Sequence, residues 1–315
     1  MEQRLIDLMF ALIGCEVGSE ATLSDDDWVF LVENLAPLYK LSKSHNMAHI
    51  IASALSKLGI IDNDEISQKF SKQQILAIYR YERLNYDVEQ IYEIFEKAKI
   101  PFMPLKGAVI RAIYPEPWMR TSCDIDILIK EDDLNRAIDV LKEELGYTSE
   151  ENRNYHDISL YSPNGVHLEL HFSIMENMDS IDKLLCQVWS YSVLADGTEY
   201  QYRQTNEYLL FHHIAHMSYH FVSGGCGIKP FLDLHLMQQK MKFDLQKVQE
   251  LCSICGLQTF YDKVTELTKV WFERKPCDGI ILKMQSYILQ GGVYGTLENK
   301  VTTQQGISGG KFRYA

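Results

Sequence analysis

The chain has 315 residues, 31 of them Lys or Arg and 43 Asp or Glu, for a formal net charge of −12. That length suits one large domain or two smaller ones, and 46% apolar with 23% charged residues excludes a disordered or collagen-like chain. The acidic balance argues against a protein that coats nucleic acid, which needs clustered Lys and Arg, but leaves room for a small phosphorylated ligand held by a few cations or a metal.

From the N-terminus, Leu12-Ile13-Gly14-Cys15 mimics a lipoprotein cleavage box, but Glu2 and Asp7 offset Arg4 and the apolar run is short. Residues 3–15 therefore read as an amphipathic helix. No stretch of about 18 residues is apolar and uncharged, so no membrane span is expected. Asp25-Asp26-Asp27 opens a helix running through Trp28, Leu31 and Leu35. A long helix over about Glu65–Lys97 draws its apolar face from Ile75, Ile78, Tyr79, Tyr86, Ile91 and Ile94. Residues 1–98 thus form an N-terminal helical region.

The pattern then changes. Pro101 to Leu105 is extended, because each proline disfavours helix before it. Gly107 breaks the chain, and Ala108 to Tyr114 reads as a short helix. Cys123 to Ile129 is a strand with Asp124, Asp126 and Leu128 on one face and Ile125, Ile127 and Ile129 on the other. Glu131 to Leu145 is a helix ended by Gly146. A hairpin follows, from His156 to Ser162 and from Val166 to Phe172, turned by Pro163-Asn164-Gly165. Its return strand alternates, with Val166, Leu168, Leu170 and Phe172 toward the core and His167, Glu169 and His171 away from it. Residues 99–200 form the sheet-bearing core, 201–290 a C-terminal helical region, and 291–315 a Gly-rich, polar tail. The fold class is α+β: a small mixed sheet flanked by helical regions from both ends.

Seven cysteines at irregular spacing argue against a disulfide framework. Cys252 and Cys255 form a lone C-x-x-C without the second pair a structural zinc normally needs, and read as buried thiols. A cytoplasmic protein is expected.

Three Asp-x-Asp pairs occur: Asp25/Asp27, Asp62/Asp64 and Asp124/Asp126. Only the last lies in an apolar strand, where both carboxylates project from one face. Two like charges that close need a cation between them, and a divalent metal with hard oxygen ligands is the natural one. Glu169, set mid-strand between Leu168 and Leu170, can add a third carboxylate if the hairpin joins the same sheet. Two Asp on one strand and an acid on another suit two-metal phosphoryl transfer. Upstream, Lys106-Gly107 offers a cation and a close backbone approach to phosphate, and Arg111 and Arg120 are further candidate cations.

Leu105-Lys106-Gly107, Arg120 with Asp124-Ile125-Asp126-Ile127-Leu128, and Val166-His167-Leu168-Glu169-Leu170-His171 together resemble the uncharacterised bacterial nucleotidyltransferase family of the DNA polymerase β-like superfamily. The resemblance extends into Leu209 to His216 and Phe231-Leu232-Asp233-Leu234. It implies that Asp124, Asp126 and Glu169 bind Mg²⁺ and act in catalysis. It also implies that Lys106 and Gly107 take the superfamily's Gly step, and that an NTP is the substrate. The step here is Lys-Gly-Ala, without the usual Ser, and the gap from Gly107 to Asp124 is longer than the superfamily norm. Against the family, the tail reads as a shortened C-terminal region.

His212, His213, His216 and His220 share a helical face. This face is read either as a metal-binding helix with Asp233 or as a polar rim lining a cleft, the latter together with His167, His171, His216, His220 and Asp233. No carboxylate base of the H-E-x-x-H kind accompanies them. His156-Asp157 mimics the His-Asp pair of a helical phosphohydrolase but lies in a strand. The expectation is a Mg²⁺-dependent nucleotidyltransferase moving a nucleoside monophosphate to a hydroxyl of a small or protein acceptor, with Glu169 assisting that hydroxyl and long nucleic acid a poor acceptor. Its rivals are a non-catalytic binding module with the same fold and a metal-dependent hydrolase built on the His helix.

Overall fold

Four helices lead the chain: α1 (Gln3–Glu16), α2 (Asp25–Glu33), α3 (Leu35–Ser44) and α4 (Ala48–Lys57). The computed structural model describes residues 3–19, 23–149, 154–277, 279–293 and 295–296. The shortened tail expected from the sequence lies, from residue 297 on, outside these. Ser24 caps α2: its hydroxyl accepts from the Asp27 amide while the Asp27 carboxylate reaches back to the Ser24 amide. The helix expected to run on to Leu35 stops at Glu33, and Leu35 begins α3.

The long helix, α5 (Glu65–Lys97), has the expected bounds and a different buried face. Phe70, Ala77, Leu84, Ile91 and Phe95 point inward, whereas Ile75, Tyr79 and Tyr86 are 66%, 57% and 60% exposed. Two apolar stripes run along this helix. The one stepping by seven residues from Phe70 to Ile91 faces the protein, because that spacing keeps one seam in register with its neighbours. Ile91 is buried and Ile94 packs against the sheet layer, as expected, whereas Ile75, Ile78, Tyr79 and Tyr86, expected on the apolar face, are exposed.

The sheet follows. Strand β1 (Phe102–Pro104) leads into α6 (Lys106–Arg111), which starts two residues before the expected helix; then come β2 (Asp124–Ile129) and α7 (Leu134–Leu145). Gly146 closes α7 at φ 68°, a left-handed cap that glycine adopts without strain. Beyond it lie β3 (Thr148–Ser149), β4 (Asp157–Tyr161) and β5 (His167–His171). The strand order is β1-β2-β5-β4-β3. Strands β2 and β5 are parallel and the other neighbours antiparallel, so the sheet is mixed. Asp124 sits opposite His167 and Asp126 opposite Glu169.

One face of this sheet is dry. Ile125, Ile127, Leu168, Leu170, Ile158 and Leu160 pack with Leu84, Ile91 and Phe95 of α5 and Leu134, Ala137 and Leu141 of α7. Each such side chain contributes about 1.5–3 kcal/mol when fully buried, which fixes the pleat and commits Asp124, Asp126, His167, Glu169 and His171 to the opposite face.

After α8 (Asp179–Leu185), a two-stranded sheet of β6 (Ser192–Leu194) and β7 (Tyr202–Gln204) precedes five helices. These are α9 (Asn206–Val222), α10 (Lys229–Lys240), α11 (Leu245–Ile254), α12 (Gln258–Glu273) and α13 (Gly279–Gly291). The helices of the two ends share one core: Phe10 of α1 stacks on Trp271 of α12 with ring centroids 4.4 Å apart. Cys252 and Cys255 are free buried thiols within it, and burial pushes Cys252 up to about 12. Among the described residues, no helix is long and apolar enough to cross a membrane.

Candidate metal and nucleotide site

The polar sheet face gathers the acids that the sequence singles out. Oxygen or nitrogen atoms of Asp124, His167 and Glu169 lie within 4.8 Å of one another, and so do those of Asp126, Glu169 and His171. Glu169 is common to both groups. Parallel pairing of β2 with β5 produces this, since it sets Glu169 beside Asp126 and one pleat step from Asp124.

The charges are strongly uneven. Burial, Asp126 and Glu169 all push the Asp124 carboxyl above its ordinary range. Burial acts on Asp126 in the same direction, but the hydrogen bond and charge of His171, with the charge of Lys106, hold it below that range. His171 Nε2 lies 3.3 Å from Asp126 Oδ1 and 3.5 Å from Glu169 Oε2. Burial alone would depress this imidazole, yet its bonds to the two acids raise it to about 9. A cluster that retains a proton to balance itself is one that a divalent cation suits, and three carboxylates on one face are a fitting donor set.

Over this face stands Leu105-Lys106-Gly107. The Leu105 amide donates to the Asp126 carbonyl at 3.0 Å, holding the step against β2. A Cβ placed on Gly107 would meet Arg120 Nη1 at 3.6 Å and Asp126 Oδ2 at 3.8 Å, so the glycine lies directly beside the carboxylate. Lys106 Nζ is 3.7 Å from Glu176 Oε1, and burial lowers its pKa against the pull of Glu176 and Asp126.

The two arginines engage the chain itself. Arg120 donates through Nε and Nη2 to the two oxygens of Asp233, each at 2.9 Å, and through Nη1 to the Gly107 carbonyl at 3.2 Å. Tyr114 donates to the same carboxylate at 2.7 Å. Arg111 donates to the Arg120 carbonyl and the Ser122 hydroxyl, with its guanidinium over the Tyr81 ring. Both side chains therefore brace the segment that delivers Asp124. Asp233, grouped by sequence with the cleft residues, is buried in this brace on α10.

The histidine helix α9 divides. His212 meets Gln204 and His213 meets the Pro230 carbonyl at 2.8 Å, both buried. Burial lowers His213 to about 4. His216 and His220 lie at the rim: His216 Nδ1 is 2.7 Å from Glu176 Oε1, and its Nε2 is 3.1 Å from His220 Nε2. Burial raises the Glu176 carboxyl, but His216 and Lys106 outweigh it and hold it at about 2. Among the described residues, no group of three ligand atoms close enough to share an ion draws on α9.

Two residues that sequence reading passed over complete the surroundings. Glu176 links Lys106 to His216; its signal was an acid set among Ile174, Met175 and Met178. Lys229, at the start of α10, donates to the Thr121 carbonyl at 3.3 Å, and its pKa, lowered chiefly by burial and next by Arg120, is raised in turn by Asp233 and Asp124. Its signal was a lysine soon after Gly224-Gly225-Cys226-Gly227.

A family model described as uncharacterised nucleotidyltransferase matches residues 33–273. No curated protein matches the chain. Three solved structures are similar. The solution structure of the antibiotic-resistance factor ANT(2'')-Ia is 13% identical with a TM-score of 0.38, covering 57% of this chain and 92% of that one. The crystal structure of ANT(2'')-Ia in complex with adenylyl-2''-tobramycin is 11% identical with a TM-score of 0.40, covering 55% and 96%. An antigenic nucleotidyltransferase-like protein from Paracoccidioides brasiliensis is 14% identical with a TM-score of 0.35, covering 60% and 91%.

Proposed function

The chain belongs to the uncharacterised nucleotidyltransferase family, and on that premise we propose that it moves a nucleoside monophosphate from an NTP to a hydroxyl of a compact acceptor. The observation that carries the reading is the convergence of Asp124, Asp126 and Glu169 on one sheet face beside Lys106-Gly107. Asp124, Asp126 and Glu169 would hold the divalent metal. When bound, the metal neutralises charge on the phosphates and on the attacking and leaving oxygens.

The chain's own groups do the rest by positioning. Gly107 keeps the backbone bare beside Asp126 for a phosphate to approach, and Lys106, its ammonium 3.7 Å from Glu176, supplies the neighbouring cation. Arg120 and Asp233 hold the Gly107 carbonyl and the approach to β2 in place. Glu169 faces the acceptor side and takes the proton of the attacking hydroxyl. The net charge of −12 disfavours a long polynucleotide as acceptor, which leaves a small molecule or a protein side chain.

The test is a titration of ATP, GTP, CTP and UTP with and without Mg²⁺ or Mn²⁺, in the wild type and in Asp124→Ala/Asp126→Ala. Metal-dependent binding that vanishes in the double variant supports the reading. Equal binding in both proteins removes the carboxylates from it and favours a non-catalytic binding module.

A further inference from the structure

The third acid of the site does not stand alone. Strand β5 reads His167-Leu168-Glu169-Leu170-His171, so two imidazoles flank Glu169 on the same face. His167 Nδ1 lies 3.9 Å from Glu169 Oε1, and His171 Nε2 lies 3.5 Å from Glu169 Oε2 and 3.3 Å from Asp126 Oδ1. Both groups that include Glu169 therefore contain two carboxylates and one imidazole nitrogen: Asp124, His167 and Glu169 in one, Asp126, Glu169 and His171 in the other; a third group, His156, Asp157 and His171, lies beyond His171.

A second observation concerns orientation. The other nitrogen of His167, Nε2, lies 3.1 Å from the Ser159 hydroxyl on β4, and its ring stacks on Tyr161 at 4.9 Å. A ring fixed in this way, with one nitrogen engaged behind it and the other turned to two carboxylates, has the support that metal-binding histidines carry.

We propose that His167 and His171 are metal ligands beside Asp124, Asp126 and Glu169, so that the site selects Mn²⁺ over Mg²⁺. The inference rests on the reading of Asp124, Asp126 and Glu169 as metal carboxylates, and it changes which ion they hold. Mg²⁺ keeps to oxygen ligands and gives up its water reluctantly. Imidazole shifts preference toward the first-row transition ions, and three carboxylates keep the site hard enough for Mn²⁺. The proton on His171 leaves when the ion enters, as metal binding at histidine requires.

The experiment titrates the full chain with Mn²⁺ and reads bound ion by electron paramagnetic resonance, with and without about a hundredfold excess of Mg²⁺. Spin-echo modulation reports directly bound ¹⁴N. The wild type is expected to keep Mn²⁺ against that excess and to show ¹⁴N modulation. In His167→Gln/His171→Gln, where an amide of similar length replaces each ring, the modulation should vanish and the Mn²⁺/Mg²⁺ affinity ratio should fall at least about tenfold. Ser159→Ala, which touches only the back of His167, should weaken Mn²⁺ by about tenfold.

Wild-type Mn²⁺ without ¹⁴N modulation overturns the proposal, and needs no variant to fold. An unchanged affinity ratio in the folded double His variant also overturns it. If Mn²⁺ then still depends on Asp124 and Asp126, only the histidine ligation has failed. Mn²⁺ binding unaltered in Asp124→Asn/Asp126→Asn removes the carboxylate reading itself.

Discussion

A buried acid and a half-buried cluster of acids sit within one small region and are treated in opposite ways. Asp233 meets Arg120 through two hydrogen bonds and Tyr114 through a third, so its charge is matched by a fixed cation of the chain. Asp124, Asp126 and Glu169 crowd one another, and what balance they have comes from the His171 imidazole and Lys106 beside Asp126 and from Lys229 toward Asp124, none of them a two-pronged partner like Arg120. The first arrangement ties α10 to the loop before β2 and leaves no charge over for a ligand. The second leaves negative charge in a half-buried place, which a protein tolerates where a cation is to come and go. Matched charge marks the brace, and unmatched charge marks the site.

The contrast can be broken first at the brace. Asp233→Ala leaves Arg120 charged and buried, and should cost about 3–5 kcal/mol of unfolding free energy in a denaturant titration. Arg120→Met/Asp233→Leu, which removes both charges, should recover most of that loss. A small effect of Asp233→Ala would show that water reaches the pair and that the brace is not what holds β2.

Histidines held neutral sharpen the contrast, since they are a third way to bury a titratable group. His49 bonds to the Met119 carbonyl at 2.8 Å, and burial lowers it to about 4. Between its ordinary value near 6.5 and about 4, the unfolded chain binds a proton that the folded chain refuses. Its contribution is complete above pH 6.5 and is lost as pH falls through that window, by on the order of 2–3 kcal/mol. The stability–pH profile of His49→Gln should be flatter there than that of the wild type. Parallel profiles would mean that His49 takes up its proton as readily in the folded protein as in the unfolded chain.

At the unmatched acids the sign reverses. Metal-free Asp124→Asn should leave stability unchanged or raise it by up to about 1 kcal/mol, because one repelling charge is gone. A thermal melt without metal checks this, and a clear loss would make Asp124 a structural acid like Asp233. The smallest effect is expected at Gly107→Ala. The added methyl meets Arg120 and Asp126 at ordinary contact distances, and alanine favours helix, so stability should hold or rise by up to about 1 kcal/mol. NTP affinity should nevertheless fall if a phosphate lies against that Cα. Unchanged affinity would move the phosphate away from Gly107.

Much of this region could be read from sequence because its signals are local. The alternation in Asp124–Ile129 and His167–His171, the Pro163-Asn164-Gly165 turn and the limits of α5 all follow from short-range periodicity and turn chemistry. What stayed hidden depends on pairing between distant segments. No local pattern says that β2 and β5 lie side by side and parallel, which sets Asp126 opposite Glu169. Nor does one say that Glu176 meets His216, 40 residues away, or that Arg120 is committed to Asp233, 113 away. The difference on α5 has a related cause: two apolar stripes compete on one helix, and only its distant partners, the helical core holding Phe70 and the sheet layer holding Leu84 and Ile91, select Phe70 to Ile91 over Ile75 to Tyr86.

The stacking of Phe10 on Trp271 bears on how the chain reaches this state during synthesis. Helix α1 is made well before α12, yet part of its apolar face is covered by α12, some 260 residues later. At about 5–20 residues per second that surface waits on the order of ten seconds or more for its partner. The sheet and α5 can assemble meanwhile, since their contacts lie between residues 84 and 170. The nascent protein thus carries a formed sheet, still without the Asp233 brace, beside an uncovered helix α1, the stage at which chaperone capture or self-association would compete with folding.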